Sequence, residues 1–183
     1  MLYLASTSPR RKKLLRENGF LFKTLKPVYE EKDKPGLSPA TLVKLHALAK
    51  ADSVAGHVRQ GAILGADTIV YFKKKIIGKP KNGKDALRML GALQGRRHTV
   101  YTAVALLWIA GGIIQKKKVF VEKTDVYLKP LTHAEIQVYF RKINPLDKAG
   151  AYAIQSRNSI VQKVRGSFSN AVGLPMEALE KYL

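Results

Sequence analysis

Apolar residues along this chain follow two periods, one typical of strands and one typical of helices. Short apolar runs bounded by glycine, proline or polar residues predict strands over residues 2–5, 20–25, 62–72, 76–77, 98–108, 113–128 and 159–164. Apolar residues spaced by three and four predict helices over residues 9–18, 39–55, 83–93, 132–142 and 170–182. We expect the last helix to contain Gly173 and Pro175 in its interior, and we expect a proline-rich loop over residues 27–39.

The order of these segments predicts the fold class. Helices and strands alternate, and two long hairpins, over residues 62–77 and 98–128, are inserted into the alternation. Alternation favours parallel strand pairs and hairpins favour antiparallel ones, so we expect an α/β protein with an elongated mixed β-sheet flanked by helices. The chain has 183 residues and neither an internal repeat nor a glycine- or serine-rich linker, which favours one domain.

The net charge is the most unusual property of the composition. The chain has 33 lysine and arginine residues against 13 aspartate and glutamate residues, which gives +20. Such an excess favours a polyanionic partner, either a nucleic acid or a small substrate rich in phosphate. The basic residues form short clusters at 10–13, 73–75, 96–97 and 116–118, each typical of a solvated surface. Because the chain has no helix-turn-helix, zinc-finger or RNA-binding motif, nucleic-acid binding is the weaker alternative.

Several absences narrow the chemistry and the compartment. The chain contains no cysteine, which excludes disulfides, thiolate metal sites and a cysteine nucleophile. No serine lies in a nucleophile-elbow motif, and the histidines lack the spacing of a zinc site. The longest apolar run, over residues 102–114, is too short to span a bilayer, and no signal-like leader opens the sequence. We therefore expect a cytoplasmic protein with no membrane partner and no covalent catalysis.

The first eleven residues form a candidate anion site. The predicted strand 2–5 is followed by three hydroxyl residues, 6–8, and Pro9 fits the first position of a helix. A strand that turns into a helix presents backbone N–H groups and the positive end of the helix dipole. Arg10 and Arg11 could each bind phosphate oxygens in a bidentate manner. The stretch lacks the glycines of a P-loop, so a capped helix with solvated arginines is equally compatible with it.

Asp67 is the candidate acid of the chain. It lies in the middle of the apolar strand 62–72, where a carboxylate is stable only when it is paired or binds a metal. Gly65 and Ala66 leave room beside it for a ligand, and Thr68 adds a hydroxyl group. The alternative is a carboxylate that caps a neighbouring turn.

Other charged residues could complete a phosphate site around Asp67. Lys79 follows the first long hairpin in a rigid Gly-Lys-Pro tripeptide, which could return it toward the acid. Lys50 lies beside alanines on the second predicted helix, which permits a close approach to a phosphate. Glu30 and Glu31 lie in the proline-rich loop and could hold magnesium together with Asp67. Lys79 and the pair of glutamates, taken alone, are typical of a solvated surface.

Five blocks in order along the chain resemble the Maf family of septum formation inhibitor-like proteins, which are nucleoside triphosphate pyrophosphatases. The blocks are residues 4–15 (LASTSPRRKKLL), 65–68 (GADT), 78–80 (GKP), the helix-to-strand stretch 86–102 ending in HTVYT, and 147–155 (DKAGAYAIQ). The resemblance implies the fold of inosine triphosphate pyrophosphatases, in which one bilobed domain over residues 1–183 has a cleft between its lobes. It also implies that a homodimer is common.

The resemblance further implies a reaction and its residues. Family members cleave a nucleoside triphosphate between the α and β phosphates with a divalent metal, Mg²⁺ or Mn²⁺. The last block is typical of the subgroup acting on dTTP and UTP, and modified pyrimidine nucleotides would be related substrates. The implied substrate-binding residues are Ser6, Ser8, Arg10, Arg11, Thr68 and Gln155. The implied catalytic residues are Asp67, Lys50, Lys79 and Glu31, of which Asp67 and Glu31 match the metal positions. A division-regulating role, suggested by the family name, is compatible with this activity.

Overall fold

The computed structural model describes residues 1–31, 36–155 and 159–183, in which one seven-stranded sheet runs through the molecule. Its strands are β1 (Leu2–Ala5), β2 (Phe22–Leu25), β3 (Gly61–Phe72), β4 (Lys75–Ile77), β5 (Arg97–Ala110), β6 (Ile113–Leu128) and β7 (Val161–Arg165). Their spatial order is β2-β1-β3-β5-β6-β7, and β4 pairs with the C-terminal end of β3. β1 is parallel to β2 and β3, whereas the other neighbouring pairs are antiparallel. The predicted mixed sheet is confirmed.

Helices flank this sheet. They are α1 (Pro9–Glu17), α2 (Pro39–Asp52), α3 (Gly83–Leu93), α4 (His133–Phe140), α5 (Phe168–Val172) and α6 (Met176–Leu179). α4 begins with a capping box, in which the Thr132 hydroxyl accepts from the Glu135 N–H and the Glu135 carboxylate accepts from the Thr132 N–H. Of the predicted loop 27–39, residues 32–35 lie outside the described residues.

The prediction that the second strand begins at residue 20 was wrong by two residues. Gly19 has a φ of 76°, and its N–H donates to the carbonyl of Arg16 while the Phe20 N–H donates to that of Leu15. These two bonds close the end of α1 in a Schellman motif, so Phe20 still belongs to the helix cap. β2 therefore begins only at Phe22.

The prediction of one helix over residues 170–182 was also wrong. Two short helices, α5 and α6, take its place. Gly173, with a φ of 128°, ends α5, and Pro175 has no N–H with which to continue a helical ladder. The chain between the two helices therefore follows an irregular path, and the carbonyl of Gly173 faces the interior of the protein, where Arg11 binds it.

The sheet separates two apolar clusters, and β3 contributes to both because successive side chains of a strand point to opposite faces. Ile63 and Ile69 pack with α2 on one face, and Leu64 and Val70 pack with α3 and the C-terminal helices on the other. The same alternation directs the Asp67 side chain to the face of α2 and the Thr68 side chain to the opposite face.

The packing of α2 against β3 depends on Gly65. A Cβ atom at this position would lie 2.3 Å from the Ala47 carbonyl oxygen and 2.8 Å from the Ala51 backbone nitrogen. Both atoms belong to the backbone of α2, so neither can move away without displacing the helix. The close approach of helix and strand brings Lys50, which lies between those alanines, to Asp67.

Gly65→Ala is therefore expected to lower the free energy of unfolding by about 2–3 kcal/mol, as measured by urea denaturation, because the helix must shift to make room. Gly91→Ala is the matched control, since Gly91 is exposed on α3 and an added Cβ would meet nothing within 4 Å. The control is expected to raise stability by about 0.5–1 kcal/mol through helix propensity. Equal effects of the two substitutions would contradict the packing argument.

Among the described residues, no helix is both long and apolar enough to cross a membrane. The organisation of the chain as a single bilobed domain over residues 1–183 stays a prediction.

Candidate active site

A cavity of about 1400 Å³ is lined by every site residue that the family resemblance implied. These residues are Ser6, Ser8, Arg10, Arg11, Glu31, Lys50, Asp67, Thr68, Lys79 and Gln155. They come from segments far apart in the sequence: the turn between β1 and α1, the first turn of α1, the segment before α2, α2 itself, β3, the loop after β4, and the stretch 147–155. The fold therefore brings the predicted residues to one place.

The turn between β1 and α1 directs the N-terminus of α1 toward the cavity. Ser8 is the N-cap residue, its side chain makes no capping bond, and the first turn of the helix contains no acidic residue. The buried Ser6 Oγ accepts from the Ser8 N–H and from Arg11 Nη1, at 3.2 Å in both cases. The first-turn N–H groups and the positive end of the dipole are thus available to an anion in the cavity.

Arg11 is buried and bonded within the protein. Its Nε donates to the Gly173 carbonyl at 2.8 Å, and its Nη2 donates to Thr68 Oγ1 at 3.0 Å. Burial lowers the pKa of the guanidinium below its ordinary high value, and the negative charge of Asp67 opposes this effect. With its third contact, to Ser6, Arg11 connects the turn between β1 and α1 to β3 and to the chain after α5.

Arg10, the neighbouring arginine, is more accessible. Its side chain is 32% exposed, and its Nη1 lies 3.6 Å from the Asp147 carboxylate. Its Nη2 also donates to the Asp147 carbonyl at 3.3 Å. The two arginines, indistinguishable in the sequence, therefore have different surroundings, and Arg10 is the one whose guanidinium is partly open to the cavity.

Lys50 lies between two carboxylates at the centre of the cavity. Its Nζ is 2.6 Å from Asp67 Oδ1 and 2.5 Å from Glu31 Oε1. Asp67 and Lys50 are 4% and 7% exposed, so this is a buried ion pair that solvent screens little. The pairing explains how β3 holds an acid among apolar residues: the ammonium group of α2 compensates its charge.

Glu31 is the more exposed of the two acids, with a half-exposed side chain. Burial alone raises the pKa of its carboxyl group. The charge and hydrogen bond of Lys50, together with the charges of Lys79 and His46, lower this pKa further than burial raises it, so the net shift is downward. Glu31 is therefore ionised at neutral pH. Asp67, Lys50 and Glu31 together form a charged centre, in which two carboxylates surround one ammonium group.

The stretch 147–155 forms another wall of the cavity, and hydrogen bonds attach it to neighbouring parts of the fold. The Gly150 N–H donates to the carbonyl of Gly78, the residue before Lys79, at 3.1 Å. The Tyr139 hydroxyl accepts from the Ala153 N–H at 2.9 Å. These bonds connect the wall to the loop after β4 and to α4, and they set the path of the chain that leads to Gln155.

A buried pair, His98 and Tyr152, supports the same wall. His98 Nε2 lies 2.7 Å from the Tyr152 hydroxyl, and the two rings meet edge to face. Burial lowers the pKa of His98 to about 4, and the charge of Asp125 opposes this only in part. At neutral pH the imidazole is therefore uncharged, and the pair acts as a packed hydrogen-bonded support.

Residues 1–183 match the family of Maf-like proteins. The chain belongs to this family. It is 40% identical over 183 residues to the dTTP/UTP pyrophosphatase of Carboxydothermus hydrogenoformans, a match covering 100% of this chain and 96% of that protein. It is 44% identical over 179 residues to the dTTP/UTP pyrophosphatase of Gloeobacter violaceus, covering 97% and 92% respectively.

A solved structure supports the fold of this Maf-like protein. The Ham1 protein of Staphylococcus aureus aligns with 99% of this chain and 96% of its own, with a TM-score of 0.50 and 12% identity. At this identity the likeness concerns the fold alone. Together with the family match, it confirms the fold class that the resemblance implied.

Several residues of the site were not predicted from the sequence of this Maf-like protein. Tyr29 and His46 line the cavity and contact each other, Asp147 binds Arg10, and Gly173 binds Arg11. His46 could have been identified, because it lies four residues before Lys50 and therefore on the same face of the helix. The bond from Arg11 to the Gly173 carbonyl could not be predicted, because a carbonyl in the interior of the predicted helix 170–182 would be bonded within that helix.

The Asp67 and Glu31 carboxylates are oxygen ligands of the kind that Mg²⁺ and Mn²⁺ prefer. Asp67 and Glu31 each direct one carboxylate oxygen at Lys50 Nζ, so the two carboxylates lie close together around this ammonium group. Among the described residues, no group of three or more histidine, aspartate or glutamate side chains is arranged to hold a metal. Mg²⁺ is commonly bound by one or two carboxylates together with substrate phosphates and water, and such a set needs no third protein ligand.

Proposed function

We propose that this Maf-like protein hydrolyses dTTP and UTP to the nucleoside monophosphate and pyrophosphate. The observation that carries the proposal is the contact of the buried Lys50–Asp67 ion pair with the half-exposed Glu31 carboxylate, in the same cavity as the N-terminus of α1 and several basic side chains. The two relatives described above are named for this activity. The excess positive charge of the chain suits a substrate that carries a triphosphate.

The reaction requires a water molecule to attack the α-phosphorus. A bond forms between the water oxygen and that phosphorus, the bond from the phosphorus to the α–β bridging oxygen breaks, and pyrophosphate leaves with the electron pair. We assign Asp67 as the group that accepts the proton of the water. Lys50 binds one oxygen of this carboxylate and fixes its orientation, and the second oxygen can accept the proton.

The phosphates require positive groups that are in place before the reaction. We assign the first-turn N–H groups of α1 and the partly exposed Arg10 to the triphosphate, and Lys79 to the charge that develops on the departing pyrophosphate. Arg11 contributes indirectly, because its three internal hydrogen bonds hold the turn against β3 and the chain after α5. Thr68 belongs to that internal network, and Gln155 lies on the wall where a base would be held.

A divalent cation, Mg²⁺ or Mn²⁺, completes the proposal. Glu31 and Asp67 are the residues that would hold it, and it would supply positive charge to the phosphate oxygens. Since both acids also contact Lys50, the ammonium group would keep the two carboxylates near each other when the cation is absent.

The test is a panel of nucleoside triphosphates with Mg²⁺ or Mn²⁺, in which pyrophosphate and the monophosphate are quantified. We expect pyrophosphate release from dTTP and UTP, less from purine nucleotides, and none without a divalent cation. Release of orthophosphate in place of pyrophosphate would contradict the assigned bond cleavage. Failure with every nucleotide, combined with salt-sensitive gel shifts of DNA or RNA, would favour the nucleic-acid-binding alternative.

A further inference from the structure

A hydrogen-bonded pair lies beside the catalytic centre without belonging to it. The Tyr29 hydroxyl and His46 Nδ1 are 2.8 Å apart, and the ring centroids are 5.7 Å apart. His46 is 4% exposed on α2, one turn before Lys50, and Tyr29 precedes Glu31 by two residues.

The segment 26–31 is irregular and lies along α2. Three of its residues contact this helix or its cap: the Val28 N–H donates to Ser53 Oγ at 3.2 Å, Tyr29 contacts His46, and Glu31 contacts Lys50. Val28 is exposed, and its bond is therefore open to competition from water. Tyr29 provides the partly buried attachment, because both its ring and its hydroxyl meet a buried side chain.

Glu31 needs such an attachment. Its side chain is half-exposed, and its ion pair with the buried Lys50 holds the end of the side chain without fixing the backbone that carries it. The other two members of the centre are buried on regular elements, Lys50 on α2 and Asp67 on β3, so their positions are determined by packing. Glu31 is the member whose position depends on an irregular segment.

We propose that Tyr29 and His46 are positioning residues that hold the segment 26–31 on α2 and so place the Glu31 carboxylate against Lys50 and Asp67. The expected effect on turnover rests on the proposed function. The expected effect on the order of the segment 26–31 rests only on the contacts described above. Because the pair acts through Glu31, its loss reduces turnover more than nucleotide binding: the phosphates are assigned to other groups, which lie on α1 and in the loop after β4.

The first experiment measures the structural consequence without any substrate. Hydrogen–deuterium exchange of the full chain is followed in the wild type, in Tyr29→Phe and in the control Tyr182→Phe, whose ring packs on Phe120 away from the cavity. We expect faster exchange over residues 26–31 in Tyr29→Phe alone, with the protection of α2 retained. Unchanged exchange in that segment overturns the proposal, whether or not the protein hydrolyses nucleotides.

The second experiment measures the coupling to Glu31. Tyr29→Phe is expected to lower kcat for pyrophosphate release by about three- to tenfold with little change in KM, the effect of one lost hydrogen bond. In a Glu31→Gln background the same change is expected to have no further effect, because the residue to be positioned has lost its function. Equal effects of Tyr29→Phe in both backgrounds would show that the pair does not act through Glu31.

His46 provides the complementary variants. His46→Asn keeps a hydrogen-bonding group near the position of Nδ1 and is expected to retain more activity than His46→Leu, which keeps only the bulk. Combining His46→Leu with Tyr29→Phe is expected to lower kcat no further than His46→Leu alone. Additive losses, or equal activity of the asparagine and leucine variants, would contradict a role through the hydrogen bond. Inactivity of the wild type on all nucleotides refutes the proposed function and leaves the exchange experiment decisive.

Discussion

Asp67→Asn is expected to reduce kcat for pyrophosphate release from dTTP and UTP by about a thousandfold or more, with a much smaller effect on KM. The amide has almost the same size, but it cannot accept the proton of the attacking water and binds a divalent cation poorly. The loss combines a missing general base with weaker electrostatic stabilisation, which together account for an effect of this size. The measurement is single-turnover release of pyrophosphate at saturating nucleotide.

Asp52→Asn is the matched control for this substitution. Asp52 ends α2, is exposed, and forms an ion pair with Lys117 at 3.5 Å, away from the cavity. We expect its kcat to equal that of the wild type, since exposed ion pairs contribute little. Activity of the Asp67→Asn protein within tenfold of the wild type would remove Asp67 from the role of proton acceptor.

Lys50→Met is expected to affect both stability and turnover. The methionine side chain replaces the aliphatic part of the buried lysine, but Asp67 then stays buried without the ammonium group that compensates its charge. Removing one partner of a buried ion pair is expected to lower the free energy of unfolding by about 3 kcal/mol, measured by urea denaturation at pH 7. We expect kcat to fall by about a hundredfold, because the orientation of both carboxylates depends on this ammonium group.

A control and a double variant separate the two effects. Lys44→Met changes an exposed lysine of the same helix and is expected to leave both quantities within experimental error. Combining Lys50→Met with Asp67→Asn removes both buried charges, so we expect part of the lost stability to return while kcat stays no higher than that of Asp67→Asn. If the double variant is less stable than Lys50→Met by the full effect of Asp67→Asn, the two residues do not form the energetic pair that their 2.6 Å contact indicates.

Local patterns were sufficient for most of the regular structure. Periods of two and of three to four identified the strands and helices, because these periods reflect which side chains a strand or helix buries. The bounds of β1 and β6 and the capping box of α4 were predicted from neighbouring residues alone. The mistaken helix over 170–182 has the same origin. Apolar spacing favours a helix there, but Gly173 and Pro175 together interrupt the helical backbone.

The amino-acid sequence by itself determined the residue types of the site and, through the ordered blocks, the family to which the chain belongs. It could not distinguish Arg10 from Arg11, because the bond from Arg11 to Gly173 joins residues 162 positions apart and only the folded chain creates it. It likewise suggested Asp67, Lys50 and Glu31 as separate candidates. Only the tertiary structure decided that one ammonium group lies between two carboxylates, since that arrangement depends on the close packing of α2 on β3 at Gly65.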